Sequence, residues 1–361
     1  MPKDNAGGAA SRSLPDLPLG TVAGNATYRY ANVSVLAISG LEAPIVVTSD
    51  EIDERLAPTL RRLRLRPGML QQIAGVNERR WWPQDVSFAD AAATAGAKAL
   101  AEAGIDPARV GLLINSSVSR EHLEPSTAVA VHHNLGLSSS AMNFDVSNAC
   151  LGFINAMHIS ATMIDSGQIE YALVVNGEDA RRTQEATLAR LASPDATIRD
   201  FRNEFASLTL GSGAAAAVLG RFDAHHDGHQ LLGGIARTAS EYHELCIGDI
   251  EGMRTDTKAM FDGAVSLATA AWEEARTDWD WQDMDCYAIH QVSMMHTNAI
   301  IERLGLNPDR VPVTFPRLGN VGPAALPLTL VQHSDQLSDG DRVLCMGIGS
   351  GLNTCVLEMV W

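Results

Sequence analysis

The sequence predicts an α/β fold made of two similar halves. Three observations predict it: strand-like runs alternate with helix-like segments, one order of these elements occurs twice, and the composition is that of a globular protein. The chain has 361 residues, of which 46% are apolar and 19% are charged. This length suggests about two domains or one two-lobed unit. The apolar content excludes disorder as the main state.

The composition also excludes several classes of partner and site. The net charge of −16 argues against a nucleic-acid partner, because phosphate binding needs a basic surface. Five cysteines without a CxxC pair indicate neither a disulfide scaffold nor a zinc site. Residues 1–24 lack the apolar core of a signal peptide, so we expect a mobile tail there. No apolar run approaches the roughly 20 residues that span a bilayer, and we expect a soluble, cytoplasmic protein.

Strand-like and helix-like segments alternate through the first half. Thr48 starts a helix, because Glu51 completes the spacing of a capping box, and Gly104 ends the following Ala-rich helix. Such alternation is typical of an α/β fold with helices on both faces of a sheet. The predicted elements, in order, are a strand at Val33–Ile38, a helix from Thr48, a helix at Ser87–Ala103, strands at Val110–Ser116 and Met142–Val146, a helix at Leu151–Ser166 and a strand at Tyr171–Val175.

The second half repeats this order of elements. From Cys150 to Val174 there are 24 residues, and from Asn320 to Leu344 there are also 24. The corresponding segments are 33–38 and 231–236, 110–116 and 286–291, the loops that end in Cys150 and Asn320, and the Gly-Ser-Gly sequences 211–213 and 349–351 that precede each last strand.

This repetition predicts an internal duplication, with a first half at 25–222 and a second half at 223–361. The first half carries an extra charged segment at about 178–207. The alternative is a chance similarity between two α/β stretches. Under the duplication, the two halves face each other and the chemistry lies at the seam between them.

Cys150 is the first candidate for catalysis. It follows a predicted strand and opens a helix, where free N–H groups and the helix dipole favour a thiolate. We therefore expect a lowered thiol pKa and a nucleophile, with a small buried cysteine as the alternative. The other cysteines lie in or beside apolar segments, and we interpret them as packing residues: Cys246, Cys286, Cys345 and Cys355.

Two polar residues end predicted strands or turns in the second half. His290 ends the strand CYAIH, and Asn320 lies in a turn rich in glycine and proline. Taken alone, each of them could equally be a structural residue rather than a catalytic one. Together with Cys150, they place a nucleophile and two side chains that can hold an oxyanion at matching ends of two related halves.

Glu124 lies in a loop after the strand at 110–116 and stands 26 residues before Cys150. A surface glutamate is the ordinary interpretation, and a carboxylate base near the cysteine pocket is the chemical one. The run GIGSGLN at 347–353 lacks the G-x-G-x-x-G spacing and precedes a strand, which argues against nucleotide binding. Its bare N–H groups suit an oxyanion hole. The sequence HHDGH at 225–229 is typical of a solvated loop rather than a metal site.

Four separated motifs together resemble the thiolase superfamily, in the branch of β-ketoacyl-acyl-carrier-protein synthase III. They are SNACLGF around Cys150, AIHQVS around His290, GNVGPAALP around Asn320, and GIGSGLN. The segment LLINSSVSREHLEPSTA and the ending GSGLN…VW further resemble the OleA-type acyl-CoA condensing enzymes. The likeness runs from about residue 30 to residue 361.

The resemblance implies a five-layered αβαβα fold of two duplicated halves that works as a homodimer. Cys150 would be the acylated nucleophile, and His290 and Asn320 would stabilise an enolate or oxyanion. Glu124 would be a base that acts in the partner subunit's active site. The backbone N–H groups of Cys150 and Ser350 would form the first oxyanion hole.

The implied reaction is a non-decarboxylative head-to-head condensation of two fatty acyl-CoA molecules, giving a β-keto acid and two CoA. It needs no metal, and no cofactor beyond the CoA of its substrates. The alternatives are decarboxylative condensation with a malonyl thioester, a subunit that lends Glu124 to a different chain, and a thioesterase. Enzymes of an olefin or β-lactone pathway would act downstream. For the CoA phosphates, the candidates are Arg79–Arg80 and Arg181–Arg182.

Overall fold

The computed structural model describes residues 27–249 and 252–361. The predicted tail at 1–24 lies outside these ranges, and no helix within them is long and apolar enough to cross a membrane. The strands are β1 (Thr27–Arg29), β2 (Ser34–Glu42), β3 (Ile45–Thr48), β4 (Glu78–Trp81), β5 (Val110–Asn115), β6 (Met142–Asp145), β7 (Tyr171–Glu178), β8 (Gly213–Gly220), β9 (His229–Thr238), β10 (Cys246–Gly248), β11 (Met253–Thr255), β12 (Cys286–Ile289), β13 (Arg342–Gly349) and β14 (Asn353–Val360). The α-helices are α1 (Ser49–Leu63), α2 (Phe88–Ala103), α3 (Thr127–Asn134), α4 (Gly152–Asp165), α5 (Arg181–Ala192), α6 (Ile198–Glu204), α7 (Thr257–Ala275), α8 (Met294–Leu304), α9 (Phe315–Leu318) and α10 (Ala325–His333).

One large sheet connects the two halves. Its strand order is β6-β5-β7-β8-β2-β9-β14-β13-β12, and β1 adds to β9. In the first half β6, β5 and β7 are parallel, while β8 and β2 are antiparallel to their neighbours. In the second half β12 and β13 are parallel, while β14 and β9 are antiparallel to theirs. The shared order confirms the predicted α/β fold of two related halves.

The helices form three layers around this sheet. Leu112 and Ile114 pack into the core between the halves, whereas Leu113 packs on the outer face, as the period of two in a strand requires. Helices α4 and α10 fill the inner core. Helices α2 and α3 cover the outer face of the first half, and α7 and α8 cover that of the second. The layers are therefore α-β-α-β-α, which confirms the fold that the resemblance implied.

Local signals in the sequence set the helix ends. Thr48 and Glu51 form the predicted capping box, with the Glu51 N–H donating to Thr48 Oγ1 at 3.1 Å. Helix α2 ends at Gly104, whose φ of 64° suits glycine. The extra segment of the first half forms α5 and α6, which pack with α1 in a separate apolar cluster. In the second half, residues 311–314 form no strand equivalent to β6, and the short helix α9 follows them.

Candidate active site

A cavity of about 1530 Å³ opens between the two halves. Four of the predicted site residues line it: Cys150, His290, Asn320 and Ser350. They come from four loops, each at the end of a strand or short helix. The structure therefore brings together residues that are up to 200 positions apart in the chain.

Cys150 lies in a tight turn between β6 and α4. The Leu151 N–H donates to the Asn148 carbonyl at 2.9 Å, and Ala149 has a φ of 44°, which is strained for a residue other than glycine. This turn holds Cys150 against β13, where a Cβ atom on Gly349 would lie 3.3 Å from the Cys150 nitrogen. The glycine at 349 is needed for this close approach.

The thiol of Cys150 is not a preformed thiolate. Burial, together with the neighbouring Glu178 carboxylate, raises its pKa to about 12. The prediction of a lowered pKa was therefore wrong, because loss of solvation outweighs the helix terminus at this depth. Cys150 must lose its proton to another group during the reaction.

His290 follows β12 directly and is buried. Its backbone N–H donates to the Met346 carbonyl at 2.8 Å, while its Nδ1 atom has no hydrogen-bond partner among the described residues. Burial lowers the imidazole pKa to about 4, so the ring is neutral at physiological pH. His296, which the sequence analysis did not single out, lines the same cavity, and its Nδ1 atom lies 2.9 Å from Ser293 Oγ.

Asn320 is fixed by a tight turn after α9. Its Oδ1 atom accepts from the Gly322 N–H at 3.0 Å, and its backbone N–H donates to the Thr209 carbonyl at 2.9 Å. The Nδ2 group forms no hydrogen bond within the described part of the chain. It is therefore available to donate to a ligand in the cavity.

The Gly-Ser-Gly sequence of each half packs against the turn of the other half that carries a site residue, Asn320 or Cys150. Gly211 of the first half donates to the Asn320 carbonyl at 2.9 Å, and a Cβ atom there would lie 1.9 Å from the Leu318 carbonyl oxygen. Gly349 of the second half also packs against the Cys150 turn, although less closely, since a Cβ atom there would lie 3.3 Å from the Cys150 nitrogen. Ser350 lines the cavity beside it. The use of the Cys150 and Ser350 N–H groups as an oxyanion hole stays a prediction.

Glu124 does not enter the cavity of its own subunit. It is exposed, and the cavity ends at its neighbours Glu121, His122 and Leu123. Several carboxylates line this cavity, and the buried one among them is Glu178, at the end of β7, which was not predicted as a site residue. Glu178 ends an apolar buried strand, as His290 follows one, and this position is the local signal that could have identified it.

Two of the predicted roles for arginines and cysteines were wrong. Arg79 is fully buried and donates to the Val47 and Leu208 carbonyls, and Arg80 pairs with Glu78 at 2.7 Å, so this pair is structural and does not line the cavity. Cys246 is not only a packing residue, because it lines the cavity with Cys150.

The structure also places the other arginines, cysteines and histidines that the sequence analysis considered. Arg181 and Arg182 line the cavity, and their role as a CoA phosphate site stays a prediction. The remaining cysteines, Cys286, Cys345 and Cys355, are buried in the core. In the segment 225–229, the Nε2 atom of His225 forms a hydrogen bond of 2.9 Å with the Tyr171 hydroxyl. No group of three or more metal-ligating residues occurs within 27–249 and 252–361.

Comparison with known proteins identifies the family. The family model 3-oxoacyl-[acyl-carrier-protein] synthase III matches residues 144–234, and the model of its C-terminal part matches residues 275–361. An acyl-CoA:acyl-CoA alkyltransferase of Xanthomonas campestris is 46% identical over 336 residues, which are 92% of this chain and 99% of the relative. The chain belongs to this alkyltransferase family. A relative with the same name from Shewanella oneidensis is 35% identical and covers 92% of this chain and 100% of its own.

Structures of an alkyltransferase family member, OleA, share the fold. The crystal structure of Xanthomonas campestris OleA with bound lauric acid and lauroyl-CoA matches with a TM-score of 0.90 and 45% identity, covering 92% of this chain and 100% of that chain. A cerulenin-bound OleA structure also matches with a TM-score of 0.90. Solved OleA variants are substituted at a cysteine and at a glutamate that are 26 residues apart, the separation of Cys150 and Glu124 here.

Proposed function

We propose that this protein condenses two fatty acyl-CoA molecules head to head, as a cytoplasmic homodimer. The observation that carries the proposal is the meeting of Cys150, His290 and Asn320 in one cavity of about 1530 Å³ between the two halves. A buried thiol, a neutral imidazole and an available amide donor are the groups that thioester chemistry requires.

The first half-reaction acylates Cys150. The neutral His290 ring takes the thiol proton as sulfur attacks the thioester carbonyl, and the oxyanion is stabilised by the Cys150 and Ser350 N–H groups. The C–S bond to CoA then breaks. The CoA thiolate leaves with the proton from His290, and the acyl group remains on Cys150.

The second half-reaction forms the carbon–carbon bond. The Glu124 carboxylate of the partner removes an α-proton from a second acyl-CoA, while His290 and Asn320 donate to the enolate oxygen. The carbanion attacks the acyl-enzyme, and the Cys150 sulfur leaves and regains a proton. Water then cleaves the remaining thioester. Two acyl-CoA and one water therefore give one β-keto acid and two CoA, and enzymes that reduce or close this product to an olefin or β-lactone would act next.

The surface around Glu124 supports the homodimer. Strand β6 is an edge strand of the large sheet. Apolar side chains are exposed on β6 and on the loop and helix α3 that precede it in the chain: Val118, Leu123, Val129 and Met142. Leu123, the neighbour of Glu124, is 87% exposed. An edge strand bordered by exposed apolar side chains is typical of an interface. A second copy seated there would receive Glu124.

The test is to incubate the purified protein with myristoyl-CoA alone and to measure products and released CoA. We expect a coupled β-keto acid, or the ketone left after loss of CO₂, with two CoA for each product. Cys150→Ala abolishes CoA release, whereas Glu124→Ala releases one CoA per site and gives no coupled product. Glu54→Ala, at an exposed glutamate on α1, is the matched control.

Three outcomes would overturn this proposal. Coupling that requires malonyl-CoA would indicate a decarboxylative synthase. Free myristate without a coupled product would indicate a thioesterase. An acylated Cys150 that couples only after a second, different chain is added would indicate a subunit of a heteromeric enzyme.

A further inference from the structure

Glu178 is a buried acid for which the reaction described above has no use. It ends β7, lines the cavity and is 6% exposed. No lysine or arginine of the described residues forms an ion pair with it. Burial of a charged group is costly unless its hydrogen bonds are satisfied, so its partners indicate what the carboxylate is for.

Those partners belong mainly to the start of the Glu124 loop. Oε1 of Glu178 accepts from the Val118 N–H at 2.8 Å, and Oε2 accepts from the Ser119 N–H at 3.0 Å and the Ser119 hydroxyl at 2.7 Å. Asn176 Nδ2 donates to Oε1 at 3.1 Å. Four donors around two oxygens suit a carboxylate, because an amide offers one oxygen and would place its own N–H groups against a backbone donor.

Glu178 is itself held rigidly. Its backbone carbonyl accepts from Trp82 Nε1 at 3.0 Å, and the N–H of Asp179 donates to Ser119 Oγ at 3.0 Å. On the opposite side, a Cβ atom on Gly322 would lie 3.6 Å from the Glu178 carboxyl carbon. The side chain therefore lies between the base of the 118–125 loop and the turn that carries Asn320.

We propose that Glu178 is a positioning residue for the condensation step, which fixes the base of the 118–125 loop and thereby sets the place of Glu124 in the partner subunit's active site. This inference rests on the proposed function, in which Glu124 acts across the dimer. The effect of Glu178 on chemistry then appears in the other subunit, and this distinguishes positioning from an electrostatic effect on its own Cys150.

The test uses Glu178→Gln in the full-length homodimer. A displacement of Glu124 by about 1 Å would lower the coupling rate by the order of 10²-fold. Loss of the Glu178 charge removes one influence that raises the thiol pKa of Cys150, so single-turnover acylation, followed by CoA release, should not slow. Glu170→Gln, at an exposed acid beside β7, controls for the loss of one charge.

Mixed dimers then show at which subunit's active site the coupling rate falls. Two chains with different tags are co-expressed, and two successive affinity steps, one for each tag, isolate the mixed dimer. One chain carries Cys150→Ala, so that a single active site remains. With Glu178→Gln on the chain that keeps Cys150, we expect coupling at the normal rate per site. With Glu178→Gln on the Cys150→Ala chain, we expect the loss of coupling.

The reverse pattern, with the defect in the subunit that carries Glu178→Gln, would overturn the inference. The same pair of dimers made with Glu124→Ala tests the proposed function separately. If Glu124→Ala on the Cys150→Ala chain does not lower the coupling rate at the other subunit's active site, the proposed function is wrong rather than the role of Glu178. If Glu178→Gln does not fold, Ser119→Ala removes one of the four hydrogen bonds and gives a smaller loss in the same mixed dimer.

Discussion

Burial favours the neutral forms of Cys150 and His290, the two groups that exchange a proton in the proposed acylation step. Burial raises the thiol pKa of Cys150 to about 12 and lowers the imidazole pKa of His290 to about 4. Each charged form is disfavoured because the cavity wall offers it little solvation. The free enzyme therefore holds a thiol and a neutral imidazole in one cavity, and in the proposed mechanism the negative charge appears only as sulfur attacks a bound thioester.

This state makes a prediction for chemical labelling of Cys150. The alkylation rate with iodoacetamide follows the thiolate fraction, so below the thiol pKa it rises about tenfold per pH unit. We expect this rise to continue from pH 7 to pH 10 without a plateau, and Cys150→Ser measures the labelling of the other cysteines. A rate that levels off below pH 8 would instead show a preformed thiolate.

The sequence was sufficient to identify Cys150, His290 and Asn320 as site candidates, because each lies beside a strand end or turn with its own local signal. It was not sufficient for Glu178, His296 or Cys246. Glu178 lies at the end of the buried strand β7, but the predicted strand stopped at Val175, so Glu178 was not recognised as a strand end. His296 and Cys246 reach the cavity only through packing between distant segments, and their neighbours in the chain are ordinary. The thiol pKa was predicted in the wrong direction for a related reason, since burial is a property of the assembled fold.

At the scale of elements, the two Gly-Ser-Gly sequences explain why the repeat matters for the site. The one before β8 supports the Asn320 turn, and the one before β14 supports the Cys150 turn, so each half completes the site of the other. Local patterns predicted the strands and their duplicated order. They did not indicate the hairpin of β10 and β11, whose Cys246 lines the cavity.

This reciprocal support predicts the effect of Gly211→Ala. The new Cβ atom would lie 1.9 Å from the Leu318 carbonyl oxygen, so the Asn320 turn must shift. We expect the coupling rate to fall by the order of 10²-fold. The rate of Cys150 acylation should fall less, and the free energy of unfolding should decrease without loss of the fold. Gly111→Ala in β5 is the control, because Gly111 does not line the cavity and its Cβ atom would meet side-chain carbons of Ile169 at 3.2 Å and 3.3 Å rather than a backbone oxygen at 1.9 Å.

Product analysis with myristoyl-CoA and chemical denaturation together decide the Gly211→Ala prediction. Equal losses of acylation and coupling would contradict it, because the Asn320 turn would then serve the whole cavity rather than the enolate. Unchanged coupling would show that the two halves tolerate movement at their seam.

At the scale of the whole molecule, the two ends of the large sheet differ in what surrounds them. At the β6 end lies the Glu124 loop with its exposed Leu123, and at the β12 end the chain exposes Val313. Under the proposed function, only the first end carries a residue that acts in a partner's active site, Glu124. The two ends of the sheet therefore have different roles, although the two halves share the same order of strands.

Leu123→Asp tests this asymmetry. Burial of a leucine contributes about 1.5–3 kcal/mol, and a two-fold dimer would bury it twice, so we expect the dimer dissociation constant to rise by roughly 10²-fold or more. Sedimentation velocity over a range of protein concentrations measures this shift, and coupling should fall with the dimer fraction while circular dichroism stays the same. Val313→Asp, a similar change at the opposite end, should leave the dimer and coupling intact. An undisturbed Leu123→Asp dimer that still couples would mean that Glu124 reaches the reaction by another route.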